Sequence, residues 1–202
     1  MVTPLNIGII GVQGAISEHV NSMNKTLKKN KRIGKVFIIR NKFEIRSIEA
    51  LIIPGGESTT ISKFIHKLGL YDELLNRIND NNLYIMGTCA GCILLSKQII
   101  NDNKDIKTLK AMDFNVIRNA FGRQKESFEY KIKIIGFNKL FNGVFIRAPI
   151  IESVFGDCKA LSNIDGKIVM AKQDKFLALS FHPELTNDLS IHEYFLKMID
   201  NF

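Results

Sequence analysis

The sequence predicts an α/β fold of three layers, α/β/α, around an open, twisted, mostly parallel sheet with an antiparallel extension. Three observations predict it. Short runs rich in Ile and Val alternate with longer mixed segments, the pattern of buried parallel strands covered by helices. Two of the runs break directly into glycine-bearing turns followed by helices, at Pro54-Gly55-Gly56 and at Gly87-Thr88-Cys89. From Met112 onward the apolar runs shorten and turn residues separate them, which points to antiparallel or mixed pairing.

Taken in order, Leu5 to Val12 reads as the first strand, followed by a helix from Ala15 to Lys29. Val36 to Arg40 and Ala50 to Ile53 read as the second and third strands. A helix is expected after Ser58, whose hydroxyl suits an N-cap, and another over Tyr71 to Asn79. Leu83 to Gly87 reads as the fourth strand, running into a helix that ends near Lys97. Lys131 to Ile135, Val144 to Ile146, Ser153 to Phe155, Ile168 to Ala171 and Ala178 to Phe181 read as later strands. Ile191, Phe195, Met198 and Ile199 share one face of a final helix, Ser190 to Phe202. No repeat, low-complexity tract or long linker divides the chain, so one domain over residues 1–202 is expected.

Composition bounds the function. Of the 202 residues, 46% are hydrophobic and 24% charged, an ordinary globular balance. No apolar run approaches the ~20 residues that span a bilayer, and the first residues lack a signal-peptide pattern. No membrane association is expected, and the expected location is cytoplasmic. Three cysteines, two of them only three residues apart, suit a reducing compartment. The formal net charge of +8 raises the question of nucleic acid. The basic residues are spread out except over Lys25 to Lys35, which reads as a solvated helix end and loop. With no RNA-binding aromatic signature beside it, no nucleic-acid partner is expected.

Gly87-Thr88-Cys89-Ala90-Gly91 is a G-x-C-x-G pentapeptide between strand and helix, the cysteine form of a nucleophile elbow. Flanking glycines allow the sharp turn, and a helix N-terminus favours thiolate over thiol. The Ala90 N–H would face an oxyanion. Alone, the pentapeptide serves a buried cysteine at a tight junction equally well. Cys89 and Cys92 also form a C-x-x-C, but no further ligands at metal spacing accompany it, so no metal is expected; Cys92 reads as core filler. A cysteine nucleophile needs a base. His19, His66 and His192 lie in or at the end of helical stretches and read as surface or packing residues. His182 follows the run Ala178 to Phe181 and precedes Pro183, which favours an extended backbone. In extended chain His182 and Glu184 point to one side, so Glu184 can orient His182 as the acid of a triad does. Gly55 and Gly56 can offer backbone N–H groups to an anion, although a Gly-Gly pair alone is a weak signal.

Together these motifs resemble the class I, triad-type glutamine amidotransferases, whose fold is flavodoxin-like. Finer matches resemble the glutaminase subunits of two-component pyridoxal 5'-phosphate synthases. They are Val12-Gln13-Gly14-Ala15 with Glu18-His19, Pro54 to Thr60, Gly87 to Gly91, Arg118 to Gln124, Phe145 to Pro149 and Phe181 to Thr186. The resemblance implies hydrolysis of L-glutamine to glutamate and ammonia, which passes to a (β/α)8-barrel synthase subunit in a hetero-oligomer; it implies no cofactor. It further implies Cys89 as nucleophile, His182 as base, Glu184 as its orienter, and Gly56 and Ala90 as oxyanion hole. Gly56, Glu57, Ser58, Arg118, Ile146 and Arg147 match glutamine-holding positions. An arginine can clamp the substrate carboxylate, and a carboxylate or carbonyl can accept its ammonium. The chain departs from the pattern at Ile10-Gly11-Val12, at a longer and more basic Asn24 to Gly34, at Cys92 and at Lys110-Ala111. Three other readings remain at this point: a glutaminase serving another biosynthetic pathway, a non-glutaminase cysteine hydrolase on the same fold, and a binding or regulatory module whose triad is vestigial.

Overall fold

A computed structural model describes residues 3–100, 105–120 and 127–200. The strands are β1 (Leu5–Ile10), β2 (Gly34–Ile39), β3 (Ala50–Ile53), β4 (Tyr84–Thr88), β5 (Gln98–Ile99), β6 (Phe114–Ile117), β7 (Ser127–Ile132), β8 (Phe141–Ile146), β9 (Ile150–Val154), β10 (Lys159–Ile164), β11 (Lys167–Gln173) and β12 (Phe176–Leu179). The helices are α1 (Ile16–Lys29), α2 (Lys42–Ile45), α3 (Ser58–Lys67), α4 (Leu70–Asn79), α5 (Ala90–Leu95) and α6 (Ser190–Asp200). A short 3₁₀ turn covers Pro183–Leu185.

The main sheet runs in the order β2-β1-β3-β4-β12-β11-β9-β6-β5, with β10 paired to β11, while β7 and β8 form a separate hairpin. The first five strands are parallel. Beyond β12 the pairings of β11, β9 and β6 turn antiparallel, as the shortened runs predict. Strand order reverses about β1, and in such sheets ligands collect beyond the carboxyl ends of the strands.

Alternate residues of the central strands feed two different cores. Ile10, Leu51, Ile53 and Ile85 pack with residues of α3, α4 and α5 on one face. Ile7, Ile9, Ala50, Ile52, Tyr84 and Met86 pack with α1 and α6 on the other. That is why these strands read as unbroken apolar runs: both faces are covered and neither meets water.

Several boundaries differ from expectation. β1 ends at Ile10 and not Val12, because Gln13 and Gly14 turn the chain against the Pro54–Gly56 loop; a Cβ at Gly14 would lie 1.7 Å from Gly55 O. α3 is capped by Glu57 and not Ser58: the Glu57 carboxylate accepts the N–H groups of Thr59 and Thr60, and Ser58 is already helical. α2, β5, β6 and β10 carry no strong periodic signal and are not expected from the sequence.

The elbow is held by contact. A Cβ on Gly91 would approach Ile53 O to 2.1 Å, and one on Gly87 would approach Gly91 O to 2.5 Å. Neither obstacle is a mobile side-chain tip, so α5 can sit this close to β3 and β4 only with glycine at both positions. Gly91→Ala is therefore expected to destabilise the protein by about 1–3 kcal/mol, read as a lower urea midpoint with unchanged slope; an unshifted midpoint would show that the helix can retreat freely.

Candidate active site

Cys89 occupies the turn between β4 and α5 with φ 48° and ψ −100°. Such a backbone costs of order 1–3 kcal/mol for a residue with a Cβ and persists only where the surroundings enforce it. Here the Cys89 N–H donates to Leu179 O at 2.8 Å, continuing the parallel register in which Thr88 faces Leu179. Three residues beyond Leu179 the chain reaches His182, whose own N–H donates to Val144 O at 2.8 Å. The side chains of Cys89 and His182 converge over Gly55, where an added Cβ would sit 2.3 Å from His182 Cε1 and 3.2 Å from Cys89 Cβ.

His182 Nδ1 lies 2.8 Å from Glu184 Oε1, with the carboxylate wholly buried. This is the contact that the i, i+2 spacing predicts, although Glu184 lies in the 3₁₀ turn and not in extended chain. Burial alone would lower the His182 pKa. The hydrogen bond with Cys89 and the hydrogen bond and charge of Glu184 outweigh it and raise the value to about 10. For Glu184, burial pushes the carboxyl up, but His19 and His182 facing it bring it below the ordinary carboxylate range.

The remaining sequence-predicted residues gather around the same point. A cleft of about 220 Å³ is lined by Gly56, Glu57, Ser58, Cys89, Ile93, Arg118, Asn119, Ile146, Arg147 and His182. Ala90 is the first helical residue of α5, so its N–H belongs to a first turn without intrahelical acceptors. Cys89 Sγ lies 3.8 Å from Ile146 O. Arg147 has φ 42°, unusual for a residue with a side chain, at the end of β8 on the cleft rim. Arg118 Nη2 stands 3.6 Å from Glu57 Oε1. Burial raises the Glu57 carboxyl, but hydrogen bonds from the Thr59 and Thr60 hydroxyls and backbones bring it down to about 2. Glu57 thus stays anionic beside Arg118 while it caps α3. Of the segment Arg118 to Gln124, residues 121–124 lie outside the described residues.

Two larger depressions, of about 600 and 640 Å³, lie along α3 and near β5. In the first of them the Ser62 hydroxyl donates to Lys107 O, and His66 Nδ1 faces the Ser62 backbone carbonyl and not its hydroxyl. Among the described residues, then, neither depression holds a nucleophile hydrogen-bonded to a base, and chemistry and not size singles out the smaller cleft. Cys92 is fully buried in the core, and all three cysteines are free. Among the described residues no group of metal-ligating side chains occurs, and no helix is long and apolar enough to cross a membrane.

Of the two readings open for His19 and His192, surface or packing, the structure takes the second. His19 and His192 are both completely buried. His19 Nε2 lies 3.2 Å from Thr88 Oγ1 and 3.3 Å from Glu184 Oε2, and its Nδ1 lies 3.4 Å from His192 Nε2. A signal was present: His19 shares the buried stripe of α1 with Ser22, Met23, Thr26 and Leu27, and an ionisable residue on such a stripe needs a partner.

A mostly parallel α/β sheet with a cysteine, a histidine and a carboxylate gathered beyond the strand ends is the arrangement expected of a glutamine amidotransferase, and equally of a cysteine hydrolase on the same fold. The SNO glutamine amidotransferase family model matches residues 9–201, and the chain belongs to that family. It is 40% identical over 196 residues to the pyridoxal 5'-phosphate synthase subunit PdxT of Pyrococcus horikoshii, covering 96% of this chain and 100% of that protein. With the PdxT of Thermoplasma volcanium the identity is 45% over 194 residues, 96% of this chain and 94% of the relative. A crystal structure of a glutamine amidotransferase superposes with a TM-score of 0.85 at 39% identity, over 96% of this chain and 98% of that one. A Thermotoga maritima glutamine amidotransferase shares the fold, with a TM-score of 0.63 at 12% identity over 98% of this chain and 84% of that one.

The site yields a titration with a definite sign. Because the folded pKa of His182, about 10, lies above its ordinary 6.5, its protonation stabilises the fold fully below pH 6.5 and loses that contribution as pH rises to 10. Nitrogen-resolved NMR should find this ring protonated at pH 8, with a lower midpoint in Cys89→Ala and in Glu184→Gln. A midpoint near 6.5 in the unaltered protein would contradict the coupling.

Proposed function

We propose that the chain hydrolyses L-glutamine as the glutaminase subunit of a pyridoxal 5'-phosphate synthase and hands the ammonia to a (β/α)8-barrel partner. The observation that carries the reading is the meeting of Cys89 and His182 in one cleft, with Glu184 buried behind the histidine and an arginine and a carboxylate at the cleft's mouth. A free amino acid presents a carboxylate and an ammonium together; Arg118 offers a cation for the first, and its neighbour Glu57 with the Ile146 carbonyl offers acceptors for the second. Ser58 and Arg147 complete the rim. The kinship with PdxT proteins supports the pathway.

Cys89 Sγ attacks the amide carbon of the glutamine side chain. The negative oxygen that develops is held by the N–H groups of Gly56 and Ala90, a donor of this kind being worth about 3 kcal/mol. The C–N bond then breaks as imidazolium His182 gives its proton to the nitrogen, which leaves as ammonia. Neutral His182 next takes a proton from water, the hydroxide adds to the γ-glutamyl thioester, and cleavage of the C–S bond yields glutamate and restores Cys89. Glu184 keeps the ring turned toward the sulfur throughout. A charged imidazole beside the sulfur suits the first step, because a thiolate is the attacking species and the ring carries the proton that ammonia needs.

Ammonia release should be measured for the purified chain, alone and with a pyridoxal phosphate synthase barrel subunit, beside Cys89→Ala. We expect release that rises with the barrel subunit and falls at least about 10³-fold in the variant. Cysteine-dependent release indifferent to that subunit would move the enzyme to another pathway. No cysteine-dependent release under either condition would overturn the reading.

A further inference from the structure

Behind the triad lies a second pair of polar side chains that the reaction described above does not use. His19 on α1 and His192 on α6 come from opposite ends of the chain and meet beneath the sheet with ring centroids 5.6 Å apart. Both rings are completely buried, as is Thr88, and Glu184 nearly so. Burial in an apolar layer is a costly place for two imidazoles unless their polar atoms are used.

The proton positions follow from what each nitrogen can reach. Among the described residues, His192 Nδ1 is buried with no hydrogen-bonding partner. A buried N–H left unpaired is rarer and costlier than an unpaired acceptor, so the proton of His192 belongs on Nε2. It then points at His19 Nδ1, 3.4 Å away, and makes that nitrogen an acceptor. The proton of His19 is thereby forced onto Nε2, between Thr88 Oγ1 at 3.2 Å and Glu184 Oε2 at 3.3 Å. The opposite tautomers would strand an N–H on His192 and leave Glu184 Oε2 facing a lone pair. The approach to Oε2 is close in distance but not aligned as a full hydrogen bond; the N–H is shared, with Thr88 the better-aligned acceptor.

We propose that His19 is a positioning residue: its Nε2–H ties Glu184 to Thr88, and His192 fixes the tautomer that makes this possible. Thr88 immediately precedes Cys89, and Glu184 orients His182, so one ring braces the nucleophile's strand against the carboxylate behind the base. The groups facing His19 are Thr88 from β4, Glu184 and His182 from the segment after β12, His192 from α6, and Glu18 of its own helix. Burial lowers the pKa of His19, outweighing Glu184, and lowers that of His192 to about 3, with His19 acting in the same direction. Both rings are therefore neutral at working pH. What His19 offers Glu184 is an N–H dipole and not a charge, so it steadies the carboxylate without competing with His182 for it.

This inference rests on the glutaminase reading, and its test separates the two. In the unaltered protein, long-range nitrogen–proton NMR should show His19 neutral, protonated at Nε2 and bare at Nδ1; the Nδ1–H tautomer would overturn the proposal whether or not glutamine is hydrolysed. In the complex with the barrel subunit, His19→Leu should lower kcat by about 10- to 100-fold, the range typical of residues that orient a reacting group's partner, with KM changed less than about twofold. His19→Gln, whose amide N–H can replace the lost donor, should recover most of the loss. A folded His19→Leu variant with undiminished kcat, or a His19→Gln variant no better than it, would overturn the proposal. Should the unaltered chain release no ammonia, the glutaminase reading fails, and alkylation of Cys89 by iodoacetamide decides the inference alone. The His19→Leu variant should then react about tenfold more slowly at pH 7, with His19→Gln restored; equal rates in all three would contradict the bracing role. If His19→Leu does not fold, the tautomer and the His19→Gln variant still decide.

Discussion

The site depends first on the parallel pairing of β4 with β12, strands separated by almost ninety residues of sequence (84–88 and 176–179). That pairing sets Thr88 opposite Leu179 and lets the Cys89 N–H donate to Leu179 O at 2.8 Å. Slipping the register by one residue would reverse every side chain on the strand, sending Leu177 and Leu179 out of one core and Ala178 out of the other. With both faces buried, it is the different size and shape of the residues sent to the two cores, Phe176 and Ala178 against Leu177 and Leu179, that enforces the register, and the register delivers His182 to Cys89. The strained backbone of Cys89 is held by the same bond on one side and by α5 wedged against Ile53 through Gly91 on the other.

Electrostatics builds on that frame. The buried groups behind the sulfur run from His182 through Glu184 to His19 and His192. Only the first two carry charge, with opposite sign, so the row holds one ion pair and two neutral rings. A buried pair of this kind is tolerable when its remaining polar atoms find partners, and the neutral imidazole N–H of His19 is the group placed to serve Glu184 Oε2. At the mouth, Glu57 joins two duties. Its carboxylate caps α3 through Thr59 and Thr60 and stands beside Arg118, so the geometry of the cleft is tied to the start of a helix and not left to a loop.

The sequence made much of this legible. Strands covered on both faces announce themselves as unbroken Ile and Val runs, and the elbow glycines mark a turn that no larger residue would fit. His182 and Glu184 were readable because a two-residue spacing after a strand translates almost directly into one contact. Other features resist such reading. His19 sits on an ordinary amphipathic helix, and its partners Thr88, Glu184 and His192 are scattered over the chain, so only tertiary structure shows that it is buried against a carboxylate. Glu57 displaced Ser58 as the cap because its longer side chain folds back onto two backbone donors and two hydroxyls at once. β10 escaped notice because its residues, Lys159 to Ile164, are partly exposed and lack a sustained period. The union of Arg118 with Glu57 joins segments some sixty residues apart, and neither segment alone announces an ion pair.

In the proposed reaction the sulfur of Cys89 carries the γ-glutamyl group between two chemical steps. The direct test is to mix the complex of this chain and the barrel subunit with isotopically labelled glutamine, quench in acid within one turnover, and map the label by peptide mass spectrometry. A labelled γ-glutamyl thioester is expected on the peptide bearing Cys89, absent in Cys89→Ala and accumulating when the step that consumes it is slowed. Ammonia and glutamate formed with no label on that peptide at any quench time would contradict it.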